Sequence, residues 1–318
     1  MTPKILEDAL CELRFSKAPE TLYAPIDYTL QLGGKRMRPT LTLLAYQLFR
    51  DDPETILRPA MATEVFHNFT LLHDDIMDNA PLRRGKPTAH TKWGTNTALL
   101  SGDVMLVKAY DLLLDVPETL LPAAIRYFNQ CATEVCEGQQ YDMSFEERQE
   151  VQLDQYLEMI RLKTAVLLGF ALRLGGMLGG APTEVHEQLN TLGEQAGIGF
   201  QLQDDLLDVY ADPEKFGKQV GGDILENKKT FLLLTALERA EGETATALRR
   251  WLQTDDQPKE KVRAVRAIYD ALGVREATTE KMKSYFSTAF ETLAELPVEA
   301  ERKQALHKLL QRLAEREF

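Results

Sequence analysis

Several things are scarce in this 318-residue chain: it has three cysteines, two tryptophans and five histidines. Cys11, Cys131 and Cys136 make neither a disulfide framework nor a Cys-x-x-Cys zinc pair. That excludes a stapled secreted module and points to a reducing cytoplasm. No segment approaches a membrane-spanning apolar run, so no transmembrane segment is expected. The opening MTPKILEDAL lacks the apolar stretch of a signal peptide. Positive charge is in deficit: 37 Lys and Arg against 49 Asp and Glu give a net charge of -12, which argues against nucleic acid as a partner. No Asn-Gly or Asp-Gly dipeptide signals a hairpin between β-rich runs.

What is present is helical periodicity. Apolar residues recur at three- and four-residue spacing over 3–16, 19–32, 38–50, 56–78, 96–114, 118–140, 147–179, 184–211, 227–241, 244–254, 258–271, 275–293 and 298–316. Glycine pairs such as Gly33-Gly34 and Gly221-Gly222 punctuate the helices. There is no low-complexity linker. The pattern predicts an all-α chain of about a dozen helices, organised as a single domain over 1–318. The hydrophobic fraction of 44% supports a large core.

Two aspartate clusters repeat one spacing, D-D-x-x-D. Asp74, Asp75 and Asp78 stand in LLHDDIMD, and Asp204, Asp205 and Asp208 in QLQDDLLDVY. Positions i and i+4 share a helix face, so the outer pair of each cluster projects together. Pro81, Gly85 and Pro87 follow the first cluster and Asp212-Pro213 the second, placing both near helix C-terminal ends. The dipole there disfavours carboxylates by roughly 0.3–1 kcal/mol each. A cation is needed, and an all-oxygen donor set favours Mg2+ over zinc. Calcium-loop spacing, with alternating Asp and a distal Glu, is missing.

The few cations are concentrated. GGKRMRP carries Lys35, Arg36 and Arg38 in a turn before a helix. LRRGK carries Arg83, Arg84 and Lys86 just after the first aspartates. Lys218, Lys228 and Lys229 follow the second. Basic groups beside metal-binding carboxylates suit a phosphorylated substrate held partly through metal. His67, seven residues before Asp74 and on nearly the same stripe, can donate a hydrogen bond there.

Taken together, GGKRMRP, the first aspartate cluster with LRRG, the Lys163-Thr164 pair and FQLQDDLLD…GK…GGD…NKKT resemble the trans-isoprenyl diphosphate synthases, the polyprenyl synthetase family. The resemblance spans about residues 30–232 and implies the isoprenoid synthase fold, a helical bundle around a central apolar cavity. It implies a prenyltransferase that joins isopentenyl diphosphate head-to-tail to an allylic diphosphate (dimethylallyl, geranyl or farnesyl) through an allylic cation, as a homodimer with three Mg2+ ions per active site. Asp74, Asp75 and Asp78 correspond to ligands of two metals, the middle one commonly indirect. Asp204 corresponds to the main ligand of the third, with Asp205 and Asp208 supporting. Arg83, Lys163, Lys218 and Lys228 match residues that grip the allylic diphosphate. Lys35, Arg38, His67 and Arg84 match those that bind isopentenyl diphosphate. Thr164 and Gln201 match groups beside the allylic carbon. The chain departs from the family at Asn227, where glycine is common, and no proline follows Thr230.

In this family an aromatic at the Phe69 position limits the product to short chains. Phe69 followed by Thr70 implies geranylgeranyl diphosphate (C20), with farnesyl diphosphate (C15) as the alternative, and Met105 as another candidate for the floor. Four other readings compete. A longer-chain polyprenyl synthase keeps every motif. A helical metal phosphohydrolase, invited by His73-Asp74, needs more histidine ligands and leaves the second cluster unexplained. A cyclase usually lacks the full GGKRMRP and LRRG set. A regulatory subunit of a heteromeric synthase predicts eroded aspartates, and both clusters are intact.

Overall fold

The computed structural model describes residues 4–15, 17–148, 150–211 and 221–315. The described helices are α1 (Lys4–Glu12), α2 (Glu20–Gln31), α3 (Met37–Gln47), α4 (Leu57–Met77), α5 (Ala89–Trp93), α6 (Thr95–Leu113), α7 (Leu121–Glu147), α8 (Leu153–Ile160), α9 (Val166–Leu178) and α10 (Thr183–Tyr210). They continue with α11 (Gly222–Leu225), α12 (Phe231–Arg239), α13 (Gly242–Leu252), α14 (Pro258–Ala271), α15 (Val274–Glu295) and α16 (Ala300–Ala314). A 3-10 turn (Pro53–Ile56) precedes α4, and a π-helical turn (Arg161–Ala165) joins α8 to α9. The helical periodicity is borne out almost throughout.

Three features depart from the expectation. The segment predicted as one helix over 147–179 is interrupted. The α7 helix runs on to Glu147, and α8 starts afresh at Leu153, where the Gln155 side-chain oxygen accepts the Gln152 N–H at 3.1 Å as a local cap. The short α5 and α11 were not separated from the loops around them. A two-stranded hairpin, β1 (Leu82–Arg83) and β2 (Lys86–Pro87), also forms without Asn-Gly or Asp-Gly. Its turn residues Arg84 and Gly85 have φ of 53° and 73°, the two positive values that a type I′ turn demands.

The chain divides into two compact units. The first comprises Met1–Cys131, Phe170–Asn190 and Leu296–Leu306. Its centre is α4, which is buried nearly all round rather than along one stripe, as its apolar sequence on every face requires. Phe128 is the hub of an aromatic cluster, 5.1 Å from Phe66, 4.9 Å from Tyr110 and 5.6 Å from Phe170. Helix α6 packs tightly on α4: a Cβ on Gly102 would lie 2.2 Å from His73 Nε2. The second unit comprises Ala132–Gly169, Thr191–Glu295 and His307–Phe318. There the π turn is gripped from two sides. A Cβ on Gly138 would lie 2.3 Å from the Lys163 nitrogen, and one on Gly197 2.6 Å from the Ala165 Cα.

Candidate active site

In the first unit the aspartates stand where α4 stops. The helix ends because Asn79 takes a left-handed conformation (φ 49°) and Pro81 follows. The Asp78 N–H still donates to the Asp74 carbonyl at 2.9 Å, and the Ala80 N–H donates to that of Asp75 at 2.9 Å. Asp75 is buried, Asp74 half-buried and Asp78 exposed. Burial raises the Asp75 carboxyl against the pull of Arg83. The hairpin swings Arg83 back over this end. Its Nε donates to both Asp75 oxygens at 2.8 and 2.9 Å, and its Nη2 lies 3.4 Å from Asp74. Arg83 thus neutralises the middle aspartate.

The other cations gather nearby. Arg84 donates to the Gly33 carbonyl, lying so close over the loop that a Cβ on Gly34 (φ +129°) would come within 2.8 Å of its guanidinium. Arg36 is turned inward onto buried Glu64 at 2.6 Å, and Glu64 also accepts from Asn68 at 3.1 Å. Arg38 is half-buried and its Nε, cut off from solvent, has no hydrogen-bond partner. Desolvation lowers its pKa to about 10, partly offset by Glu64. A cation so placed stays charged at neutral pH and favours an incoming anion. His67 is half-buried among these groups. Burial first, then Arg38, Arg84, Arg83 and Arg36, push its pKa well below 6.5, so at neutral pH it is an uncharged donor.

In the second unit Lys163 and Thr164 lie on the π turn. Lys163 pairs with Asp142 at 2.6 Å. The Thr164 hydroxyl donates to Gln201 Oε1 at 3.3 Å, and Gln201 Nε2 donates to Asp205 Oδ1 at 3.2 Å. The buried Tyr156 hydroxyl donates to Asp205 Oδ2. Asp208 accepts the Asp223 N–H at 3.0 Å, and the Asp223 carbonyl accepts the Lys228 N–H at 2.9 Å. Burial, followed by repulsion from Asp205 and Asp208, raises the Asp223 carboxyl far above its ordinary 3.8. Asp205 and Asp208 are raised as well, with burial again the leading cause. Asn227, at the family's usual glycine, adopts φ 53°, a left-handed conformation that asparagine tolerates. Thr230 is the N-cap of α12, its hydroxyl accepting the Leu233 N–H at 3.4 Å.

The structure therefore assembles Asp74, Asp75, Asp78, Arg38, Arg83, Arg84 and His67 in one unit and Lys163, Thr164, Gln201, Asp204, Asp205, Asp208 and Lys228 in the other. Lys35 is exposed on its loop. Lys218 lies outside the described residues. Phe69 is buried between Phe66 (5.6 Å) and His73 (4.8 Å), the Thr70 hydroxyl donates to the His67 carbonyl at 2.8 Å, and Met105 is fully buried. Glu64, Asp142, Tyr156 and Asp223 were not singled out from the sequence. Asp223 had a signal, since it ends the GGD of the quoted stretch. The others look like ordinary residues of amphipathic helices.

Among the described residues no three His, Cys, Asp or Glu side chains are already gathered as a metal cage. Asp75, Asp205 and Asp208 each accept a hydrogen bond here, from Arg83, Tyr156 and the Asp223 N–H respectively. Mg2+ fits such a donor set: it is usually bound by one or two carboxylates and completes its shell with water and substrate phosphate. Buried Asp205 and half-buried Asp208 and Asp223 are all raised by desolvation, and Asp223 also by the other two, an arrangement that favours a cation.

The polyprenyl synthetase family model matches residues 19–272. Geranylgeranyl diphosphate synthase of Methanosarcina mazei is 42% identical over 237 residues, covering 74% of this chain and 73% of that protein. Geranylfarnesyl diphosphate synthase of Natronomonas pharaonis is 36% identical and covers 99% of this chain and 96% of its own. Among solved structures, geranylgeranyl pyrophosphate synthetase from Pyrococcus horikoshii superposes with a TM-score of 0.92 at 34% identity over 99% of this chain and 96% of that one. Polyprenyl synthase from Caulobacter crescentus, complexed with calcium and isoprenyl diphosphate, gives 0.86 at 29% identity over 98% and 93%.

Proposed function

Because the chain belongs to the polyprenyl synthetase family and is a trans-prenyltransferase of the isoprenoid synthase fold, we propose that it extends an allylic diphosphate with isopentenyl diphosphate to the C20 product, geranylgeranyl diphosphate. The observation that carries the C20 reading is Phe69. It sits five residues before Asp74 on the same helix, buried and braced by Phe66 and His73. The M. mazei relative, a geranylgeranyl diphosphate synthase, supports it. The N. pharaonis relative, which matches over nearly the whole chain, supports a C25 product as the second reading.

In this reading residues 1–318 act as one catalytic domain in the cytoplasm. Asp74 and Asp78, and separately Asp204 with Asp208 and Asp223, hold three Mg2+ ions. When bound, the metal neutralises charge that develops on the leaving diphosphate. Lys163 and Lys228, with Lys218, grip that diphosphate. Arg83 is assigned to the allylic diphosphate as well. Arg38, Arg84, Lys35 and neutral His67 hold isopentenyl diphosphate, the Arg38 Nε finding its missing partner there. Thr164 and Gln201 turn oxygens to the allylic cation. No Glu or His is assigned as general base; the released diphosphate takes the proton. A second copy of the chain is the proposed partner.

The test is product analysis of the purified chain with isopentenyl diphosphate and each of dimethylallyl, geranyl and farnesyl diphosphate, with and without Mg2+. A Mg2+-dependent C20 product is expected, lengthened in Phe69→Ala. An absence of condensation with all three primers would overturn the reading in favour of a partner-dependent subunit or a cyclase. Unchanged product length in Phe69→Ala would remove Phe69 from its role.

A further inference from the structure

The two aspartate clusters share a spacing, yet their middle residues are held differently. Asp75 faces an arginine. Asp205 is almost wholly buried, and both its oxygens are committed to neutral donors, Oδ2 to the Tyr156 hydroxyl and Oδ1 to Gln201 Nε2 at 3.2 Å. Gln201 and Asp205 are i and i+4 on α10, so the second bond follows the helix face. The Gln201 amide is thereby oriented: its NH2 is engaged by a carboxylate, and its oxygen faces Thr164, whose hydroxyl donates to it at 3.3 Å. An amide has two nearly isosteric orientations of opposite polarity, and only its hydrogen-bond partners choose between them.

We propose that Tyr156 and Asp205 are positioning residues that set the polarity of the Gln201 amide. The inference rests on the reading that Gln201 and Thr164 lie beside the allylic cation. With Asp205 holding the NH2, the Gln201 oxygen and the remaining lone pairs of Thr164 are the negative ends presented to that cation. With the amide reversed, a partly positive NH2 would meet it instead. Tyr156 matters because a carboxylate held by a single donor can rotate, whereas one held from both sides cannot. Asp205 therefore anchors Gln201 and is not a ligand of the metal, although it belongs to the aspartate pattern.

Steady-state kinetics of Tyr156→Phe, Asp205→Asn, Gln201→Ala and the double variant Tyr156→Phe/Gln201→Ala test this. Tyr156→Phe is expected to lower kcat roughly tenfold or more. The KM of each diphosphate and the Mg2+ concentration for half-maximal rate should stay unchanged. Asp205→Asn should show the same pattern, and carries the test if Tyr156→Phe melts early. The double variant should be no slower than Gln201→Ala, since both changes act through one amide. A wild-type kcat in both Tyr156→Phe and Asp205→Asn beside a slow Gln201→Ala overturns the inference alone. So does a raised Mg2+ requirement in Asp205→Asn, which would make Asp205 a ligand. A wild-type kcat in Gln201→Ala overturns the reading of Gln201, and the inference with it.

Discussion

The Asp223 carboxyl shows how burial at one residue couples stability to pH. Burial, then repulsion from Asp205 and Asp208, raises it above its ordinary 3.8. A carboxyl whose pKa is higher folded than unfolded favours the fold in its protonated form. That contribution is complete below the unfolded value and is lost as pH climbs through the raised one. From about pH 4 through neutrality the metal-free protein therefore gives up stability at this cluster, and a bound cation restores it. At pH 7.5, Mg2+ at about 100 times its Kd should stabilise the protein by about 2.7 kcal/mol, read as a rise in Tm. Asp223→Asn should melt higher than the parent without Mg2+ and gain less from adding it. An identical Mg2+ increment in both would take Asp223 out of the metal's surroundings. Arg38 is the opposite case, a half-buried cation whose Nε has no hydrogen-bond partner.

At the scale of elements, the π turn 161–165 deserves comparison with the regular helices around it. One extra residue per turn re-aims the side chains that follow, and here those are Lys163 and Thr164. The turn is seated against bare backbone at Gly138 and Gly197, and Arg161 braces it through Glu158 at 2.8 Å and Glu194 at 3.2 Å. A methyl at 138 must push the Lys163 backbone, since the obstructing atoms are main chain. Gly138→Ala should cost on the order of 1–3 kcal/mol in urea unfolding and lower kcat/KM for the allylic substrate. Full activity in the folded variant would show that the turn's placement is not critical. The loop before α3 follows a similar logic: Arg36 adopts φ 48° so that its side chain turns in to Glu64, separating it from its neighbours Lys35 and Arg38.

At the scale of the whole molecule, the net charge of -12 coexists with cations collected beside carboxylates, which lets an acidic protein bind polyanions. No described helix is long and apolar enough to cross a membrane. Three of the exposed apolar side chains share one stripe. Leu100, Val107 and Leu114 are 57%, 57% and 59% exposed and recur every seven residues along and just past α6. Seven residues are nearly two full turns, so they share one face. Three large aliphatic side chains in one row are unusual on a monomer, and a second copy is the proposed cover. Sedimentation equilibrium should find a dimer for the parent and a monomer for Leu100→Glu/Val107→Glu. A monomeric parent would overturn the proposal.

The spacing of apolar residues already determined an all-α chain, because helical periodicity follows from local geometry. The two aspartate clusters, the breakers Pro81, Gly85 and Pro87 after the first, and the basic runs likewise pointed to metal and diphosphate chemistry, since both demand those residue types near helix ends. Tertiary structure alone decided which carboxylates are committed. Arg83 holds Asp75, while Tyr156 holds Asp205 across 49 residues of sequence, a contact that no local pattern encodes. It also decided that 147–179 is interrupted and carries a π turn at 161–165, that Arg84 rather than asparagine makes the hairpin, and that Glu64 and Asp142 serve Arg36 and Lys163. Each of these depends on which side chain packing brings within hydrogen-bond reach, and helical spacing is silent about contacts between helices.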